Sequence, residues 1–326
     1  MYIPPTKQRW QGRIDVPDGQ EGYRWHQYVK LLDLKQERIR LTESAKNTIA
    51  FLGFASDEGV RRNKGRTGAV IGPDHLRKAL ANLALHKSEK FALYDAGDVG
   101  IENQQLEFSQ ELLGEKVAKL LSLKVTPVLL GGGHEIAYGH FLGLRKHIPQ
   151  TESIGIINFD AHFDLRSYET EMSSGTPFRQ IADLCKEQNQ DFHYCCFGIQ
   201  ETGNTQALFR KAEELGVNYY HHHQCQWHNI HYLEEQLTAF IQKTDHLYVT
   251  IDLDAFSAAY APGVSAANGL GIHPEIALHL LQKIIESGKL LSLDIAELSP
   301  IHDIDQRTAK LAAQMIFRAV MQLIEQ

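Results

Sequence analysis

Three times along this 326-residue chain an apolar, strand-like run gives way directly to residues that ligate metals. The segments are Gly131-Gly132-Gly133-His134-Glu135, Asp160-Ala161-His162-Phe163-Asp164 and Asp252-Leu253-Asp254. Alternate side chains of an extended strand share a face, so Asp160 with His162, and Asp252 with Asp254, can each aim two ligands at one point. With His134 and Asp164 these pairs can enclose two divalent ions. Carboxylates dominate the set and no thiolate joins it, which suits hard, oxygen-preferring ions: Mn²⁺ first, then Zn²⁺, Fe²⁺ or Co²⁺. An Asp after a strand is often only a helix cap or a turn former. Three such segments at three strand ends are harder to dismiss, because carboxylates and imidazoles crowded together would repel one another without a cation.

Apolar β-rich runs recur at 47–54, 91–94, 126–130, 153–159, 194–199, 217–220, 246–251 and 290–293. Between most of them lie stretches with helical periodicity, such as 73–85, 107–123, 205–215, 232–241, 274–287 and 307–324, with Pro73 and Pro274 suited to first turns. Strands alternating with helices imply parallel pairing through right-handed crossovers. The expectation is an α/β fold: one doubly wound, mainly parallel, eight-stranded sheet with helices on both faces. A closed (β/α)8 barrel is the alternative; both collect ligands at the carboxyl ends of the strands, where the three segments fall. Residues 1–46 are polar with scattered aromatics (Trp10, Tyr23, Trp25, Tyr28) and read as an N-terminal arm packed on a catalytic domain spanning 47–326. No internal repeat marks a further boundary.

Lys plus Arg total 33 against 40 for Asp plus Glu, so no long-range field favours nucleic acid or an anionic membrane. Cys185, Cys195, Cys196 and Cys225 form neither a CxxC pair nor a secreted-type framework. The start lacks a signal-peptide core, and no run reaches the ~18 apolar residues of a membrane helix. These features suggest a soluble, cytoplasmic protein acting on a small molecule.

The glycine triplet matches no nucleotide-binding pattern and is read as backbone freedom at positive φ that lets His134 reach the metals. The histidine-rich stretch 219–231 lacks paired ligand spacing and is assigned to a solvated loop or edge. Glu297 lies just past the last strand and is either a partner for an amidinium-like cation or a plain rim charge. A basic, glycine-punctuated loop, residues 61–68, suits a carboxylate-bearing substrate, as do Arg166 and Arg179 flanking the second metal segment.

With GGGHE at 131–135, DAHFD at 160–164, IDLDAF at 251–256 and LDIAELSP at 293–300, the chain resembles the ureohydrolase superfamily of arginase and agmatinase. Within it the chain is similar to the formimidoylglutamases of histidine degradation, on residues 57–69, 173–180 and 259–266. Arginases carry a shuttling histidine in a Ser-Gly-Asn-Leu-His segment; here Ser174-Gly175-Thr176-Pro177-Phe178 stands instead, which argues against arginase. The resemblance implies two Mn²⁺ per subunit. His134, Asp160, Asp164 and Asp252 would hold one, and Asp160, His162, Asp252 and Asp254 the other, with Asp160 and Asp252 bridging. It implies water activated at the metals and attacking N-formimidoyl-L-glutamate, with Glu297 orienting the cation and Asp164 carrying the proton to the departing amine. Asn63, Arg66, Arg166, Ser174, Thr176 and Arg179 are the expected contacts to the substrate carboxylates. Another amidinohydrolase, or a non-catalytic module of the same fold, is the competing reading, and ureohydrolases of this kind are commonly homo-oligomers.

Overall fold

A computed structural model describes residues 1–39, 41, 47–169 and 171–325. Its middle layer is a ten-stranded sheet. The strands are β1 (Tyr2–Ile3), β2 (Lys30–Leu31), β3 (Asn47–Ala55), β4 (Phe91–Gly100), β5 (Thr126–Leu130), β6 (Ile154–Phe159), β7 (His193–Ile199), β8 (Asn218–His221), β9 (His246–Asp252) and β10 (Leu290–Ala296). All eight runs read from the sequence become β3 to β10, paired in parallel in the order β4-β3-β5-β10-β9-β6-β7-β8. The N-terminal segment adds two strands to the expected eight. β1 pairs antiparallel and β2 parallel with β4. Two-residue strands carry no alternation, so only tertiary pairing reveals them. The two ends of the strand order do not meet, which leaves an open sheet rather than a barrel.

Helices α1 (Trp25–Tyr28), α2 (Glu58–Arg62), α3 (Gly72–Ala81), α4 (Leu106–Ser122), α5 (Ile136–His147), α6 (Pro177–Glu187), α7 (Gln206–Glu214), α8 (Ile230–Gln242), α9 (Pro274–Glu286) and α10 (Arg307–Leu323) complete the chain. Two hydrophobic cores form, one on each face of the sheet. Ile49 and Phe51 of β3 point into the core shared with Leu76, Leu233, Leu280 and Ile316 of α3, α8, α9 and α10. Ala50, Leu52 and Phe54 point into the other, with Leu113, Phe141 and Ile181 of α4, α5 and α6. Such strict alternation along one strand is what burial on both faces demands. α4 and α5 approach closely because Gly114, Gly139 and Gly143 lie between them: a Cβ on Gly139 would stand 2.8 Å from the Gln110 carbonyl oxygen.

The N-terminal segment is fastened by buried polar contacts. Trp10 Nε1 donates to Asp95 at 2.7 Å, and the fully buried Arg77 guanidinium donates to both Asp95 oxygens at 3.0 and 2.9 Å. Arg9 adds a contact to Asp98.

Candidate metal centre

Four strands adjacent in the sheet, β5, β10, β9 and β6, carry the site at their carboxyl ends. His134 follows β5, Asp160 follows β6, Asp252 ends β9, and Glu297 follows β10. The glycine triplet threads between neighbours. Gly131 donates to the Ile295 carbonyl at 2.7 Å, Gly132 to Phe54 at 2.9 Å and Gly133 to Ser56 at 2.9 Å. None of the three has positive φ, contrary to expectation. They are glycines for lack of room: a Cβ on Gly132 would overlap the Ser56 carbonyl oxygen, and one on Gly131 would stand 2.6 Å from that of Ile295.

The six expected ligands converge. His134 Nδ1 lies 3.1, 3.0 and 3.2 Å from oxygens of Asp160, Asp164 and Asp252, while His162 Nδ1 lies 3.1 Å from Asp254 and 3.5 Å from Asp160. Two sets able to hold an ion result: His134, Asp160, Asp164 and Asp252; then Asp160, His162 and Asp254. Asp160 belongs to both, whereas Asp252, expected to bridge, enters only the first. Backbone donors lock each pair, from His162 N to Asp160 at 2.6 Å and from Asp254 N to Asp252 at 2.8 Å.

Burial, then repulsion from neighbouring carboxylates, pushes the Asp164, Asp252 and Asp254 carboxyls above the ordinary range. Against burial, which disfavours the imidazolium, Asp160, Asp164 and Asp252 hold His134 above its ordinary value, and Asp254 and Asp160 do the same for His162. Such a cluster is short of positive charge, and its hard oxygen donors with two imidazoles fit a pair of divalent cations. Among the described residues no other group of His, Cys, Asp and Glu converges in this way, the 219–231 histidines included.

Asp164 (φ 47°) and Glu297 (φ 68°) both adopt left-handed backbone conformations. For non-glycine residues that costs on the order of 1–3 kcal/mol, a strain that clusters at functional sites. Glu297 Oε1 accepts the His134 backbone N–H at 2.9 Å, and Oε2 has no partner. Burial, followed by the nearby Glu135 carboxylate, pushes the Glu297 carboxyl up to about 8. Glu135 turns away from the cluster, accepting from Ser56 Oγ at 2.8 Å and Gly59 N at 2.9 Å, and so ties α2 and the loop before it to the metal segment.

A cavity of about 290 Å³ opens above the cluster. Of the expected substrate contacts, Asn63, Arg66, Arg166, Ser174 and Glu297 line it. Thr176 and Arg179 do not. The Thr176 hydroxyl is committed to the turn before α6, bonding Ser173 and Gln180 at 2.9 Å, and Arg179 pairs with Asp183 one helical turn away at 3.0 Å. Arg66 is held by the Val264 and Ser265 carbonyls at 2.7 and 2.9 Å. Arg61 and Arg62 are turned to Glu58, and Arg62 also to Glu107. Lys64 and Ser265 line the cavity too and were not singled out as contacts, although both lie in segments that carry the resemblance. Phe178 is absent from the cavity wall. It is fully buried, edge-on to the His134 ring at 5.4 Å and stacked on Tyr194 at 4.4 Å, so it backs a ligand rather than shaping the rim.

An open, mainly parallel sheet with a carboxylate–imidazole cluster at its central carboxyl edge defines an α/β protein with a candidate two-ion site. The model described as "Arginase family" matches residues 47–322, and the chain belongs to that family. It is 44% identical to a formimidoylglutamase of Clostridium tetani over 323 residues, which span 98% of this chain and 95% of that protein. Among solved structures, Bacillus subtilis formimidoylglutamase matches with a TM-score of 0.77 at 24% identity, covering 90% of each chain. Trypanosoma cruzi formiminoglutamase, solved with Mn²⁺₂, matches with a TM-score of 0.75 at 24% identity, covering 86% of this chain and 96% of that one. At such identities the structures establish the shared fold.

Proposed function

We propose that this protein hydrolyses N-formimidoyl-L-glutamate to L-glutamate and formamide, using two Mn²⁺ held by His134, Asp160, His162, Asp164, Asp252 and Asp254. The observation that carries the reading is the divided polarity of the cavity. Its floor is acidic, as a metal pair requires, and its rim presents Lys64, Arg66, Arg166 and Ser174. A substrate with a cationic amidine-type head and two carboxylates matches that division. Similarity over nearly the full length to a protein named formimidoylglutamase supports the choice within the family.

When bound, the ions polarise water and lower its pKa toward neutrality. The chain supplies the rest. Glu297, which lines the cavity and has one carboxylate oxygen without a partner, would orient the formimidoyl cation. Water adds its oxygen to the formimidoyl carbon, the bond from that carbon to the glutamate nitrogen breaks, and the nitrogen gains the proton that Asp164 would carry. Lys64, Arg166 and Asn63 would receive the carboxylates, while Arg66 holds the 264–265 loop in place.

Assays of the Mn²⁺-loaded protein on formimidoylglutamate, agmatine and arginine test the proposal. Formamide and glutamate are expected from the first alone. Urea released from a guanidino compound would indicate another amidinohydrolase, and no turnover at all a binding module. The same reading takes the enzyme to be cytoplasmic and homo-oligomeric, which light scattering after size exclusion checks for assembly. Among the described residues no helix is long and apolar enough to cross a membrane.

A further inference from the structure

Behind the metal cluster lies a polar network that the chemistry above does not use. His134 Nε2, on the side of the ring away from the carboxylates, is 3.0 Å from Thr250 Oγ1. Thr250 donates to Asp294 Oδ1 at 2.6 Å. Asp294 Oδ2 accepts from the Tyr248 hydroxyl at 2.5 Å and lies 2.6 Å from His140 Nδ1. His140 Nε2 reaches Ser292 Oγ at 2.7 Å. Thr250, Asp294, Tyr248, His140 and Ser292 are all 0% exposed. Asp294 and Thr250 face each other in the β10–β9 register, and His140 comes from α5, the helix that starts just after His134. Five buried polar side chains are costly to assemble unless every one is satisfied.

Donor and acceptor bookkeeping fixes the proton on His134. A threonine hydroxyl has one hydrogen, and here it points to a carboxylate that has none to offer. Thr250 Oγ1 can then only accept from the ring. Nε2 must carry a hydrogen, so Nδ1, on the side where Asp160, Asp164 and Asp252 converge, is the nitrogen whose proton a metal ion displaces. We infer that Thr250 and Asp294 are positioning residues for the metal centre: they hold His134 in its ligand tautomer and orientation and thereby set the affinity of the ion that His134 binds, but not that of the ion at His162. The inference rests on the two-ion reading of the site.

Mn²⁺ titrations of the parent, Thr250→Val and Thr250→Ser, followed by calorimetry and by the paramagnetic resonance of free Mn²⁺, test it without turnover. Removing an outer-shell partner of a ligand histidine typically costs about 10- to 100-fold in affinity. Thr250→Val should weaken one binding step by that factor and leave the other within threefold, and Thr250→Ser should restore it. Equal weakening of both steps would mark a general packing role and overturn the inference, as would unchanged binding in the folded variant. A parent that binds no pair of ions sinks the reading of the site itself, and the inference with it. A second measurement needs no variant: in the Zn²⁺-loaded parent, ¹⁵N resonances of His134 should show the ring proton on Nε2 alone, and a bare Nε2 overturns the assignment.

Discussion

The floor and the rim of the cavity are built in opposite ways. The floor is a set of strand ends: Asp160 and Asp252 are 0% and 2% exposed, and each is pinned by a backbone donor two residues on. The rim comes from loops, and Asn63, Lys64, Arg66 and Arg166 are exposed. A strand end has its direction set by the sheet, so Asp160 and Asp252 arrive side by side, and the tight turns that follow carry His162, Asp164 and Asp254 to the same place. Loops carry no such periodicity, and a charged residue on one of them is as ready to satisfy its own backbone as a substrate.

If the floor is the more demanding region, Asp160→Asn should have the largest effect. It belongs to both ligand sets, so metal content measured by mass spectrometry should fall for both ions and turnover should vanish, whereas Asp254→Asn should lose mainly one. Equal metal occupancy in Asp160→Asn and the parent would sink the assignment. Glu297→Gln stands between floor and rim. Both ions should stay bound while kcat/KM falls at least tenfold, about 1.4 kcal/mol of transition-state stabilisation. A change under threefold would make Glu297 a plain rim charge.

On the rim itself, Arg166→Ala should raise KM for formimidoylglutamate by about tenfold with metal content and kcat little changed, the pattern of lost uniform binding. An unchanged KM removes Arg166 from the carboxylate contacts. Arg179→Ala sharpens the contrast from below. Its guanidinium serves a partly exposed helical ion pair of the kind worth about 0.3–0.5 kcal/mol, so KM should stay within twofold and only the unfolding midpoint should shift slightly. A large KM effect there would mean that the wall of the cavity extends to α6.

Much of this was legible in the residues alone. Eight apolar runs of strand length gave eight parallel strands, because burial on both faces forces nearly continuous hydrophobic sequence. The spacings Asp-x-His and Asp-x-Asp picked out side chains that do converge, but not by strand alternation: Asp160 and His162 follow β6 in a bend, and Asp254 lies in a 3-10 turn capped by Asp252, so each pair is set by a backbone N–H reaching back to an aspartate. α5 was not legible. Gly139 and Gly143 weaken its helical signal, and they are there because α4 passes too close for a Cβ, a fact of packing that no local propensity contains. Thr176 and Arg179 looked like substrate contacts because hydroxyls and guanidiniums bind carboxylates, yet a turn and a neighbouring aspartate had already claimed them. The sequence by itself determined the fold class and pointed to the six Asp and His side chains that converge, since apolar runs of strand length and closely spaced motifs are local features of the chain. Only the tertiary structure decided which rim residues face the cavity, why the glycine triplet is glycine, and which buried hydroxyl stands behind His134, since each depends on groups far apart in the chain competing for the same space and the same hydrogen bonds.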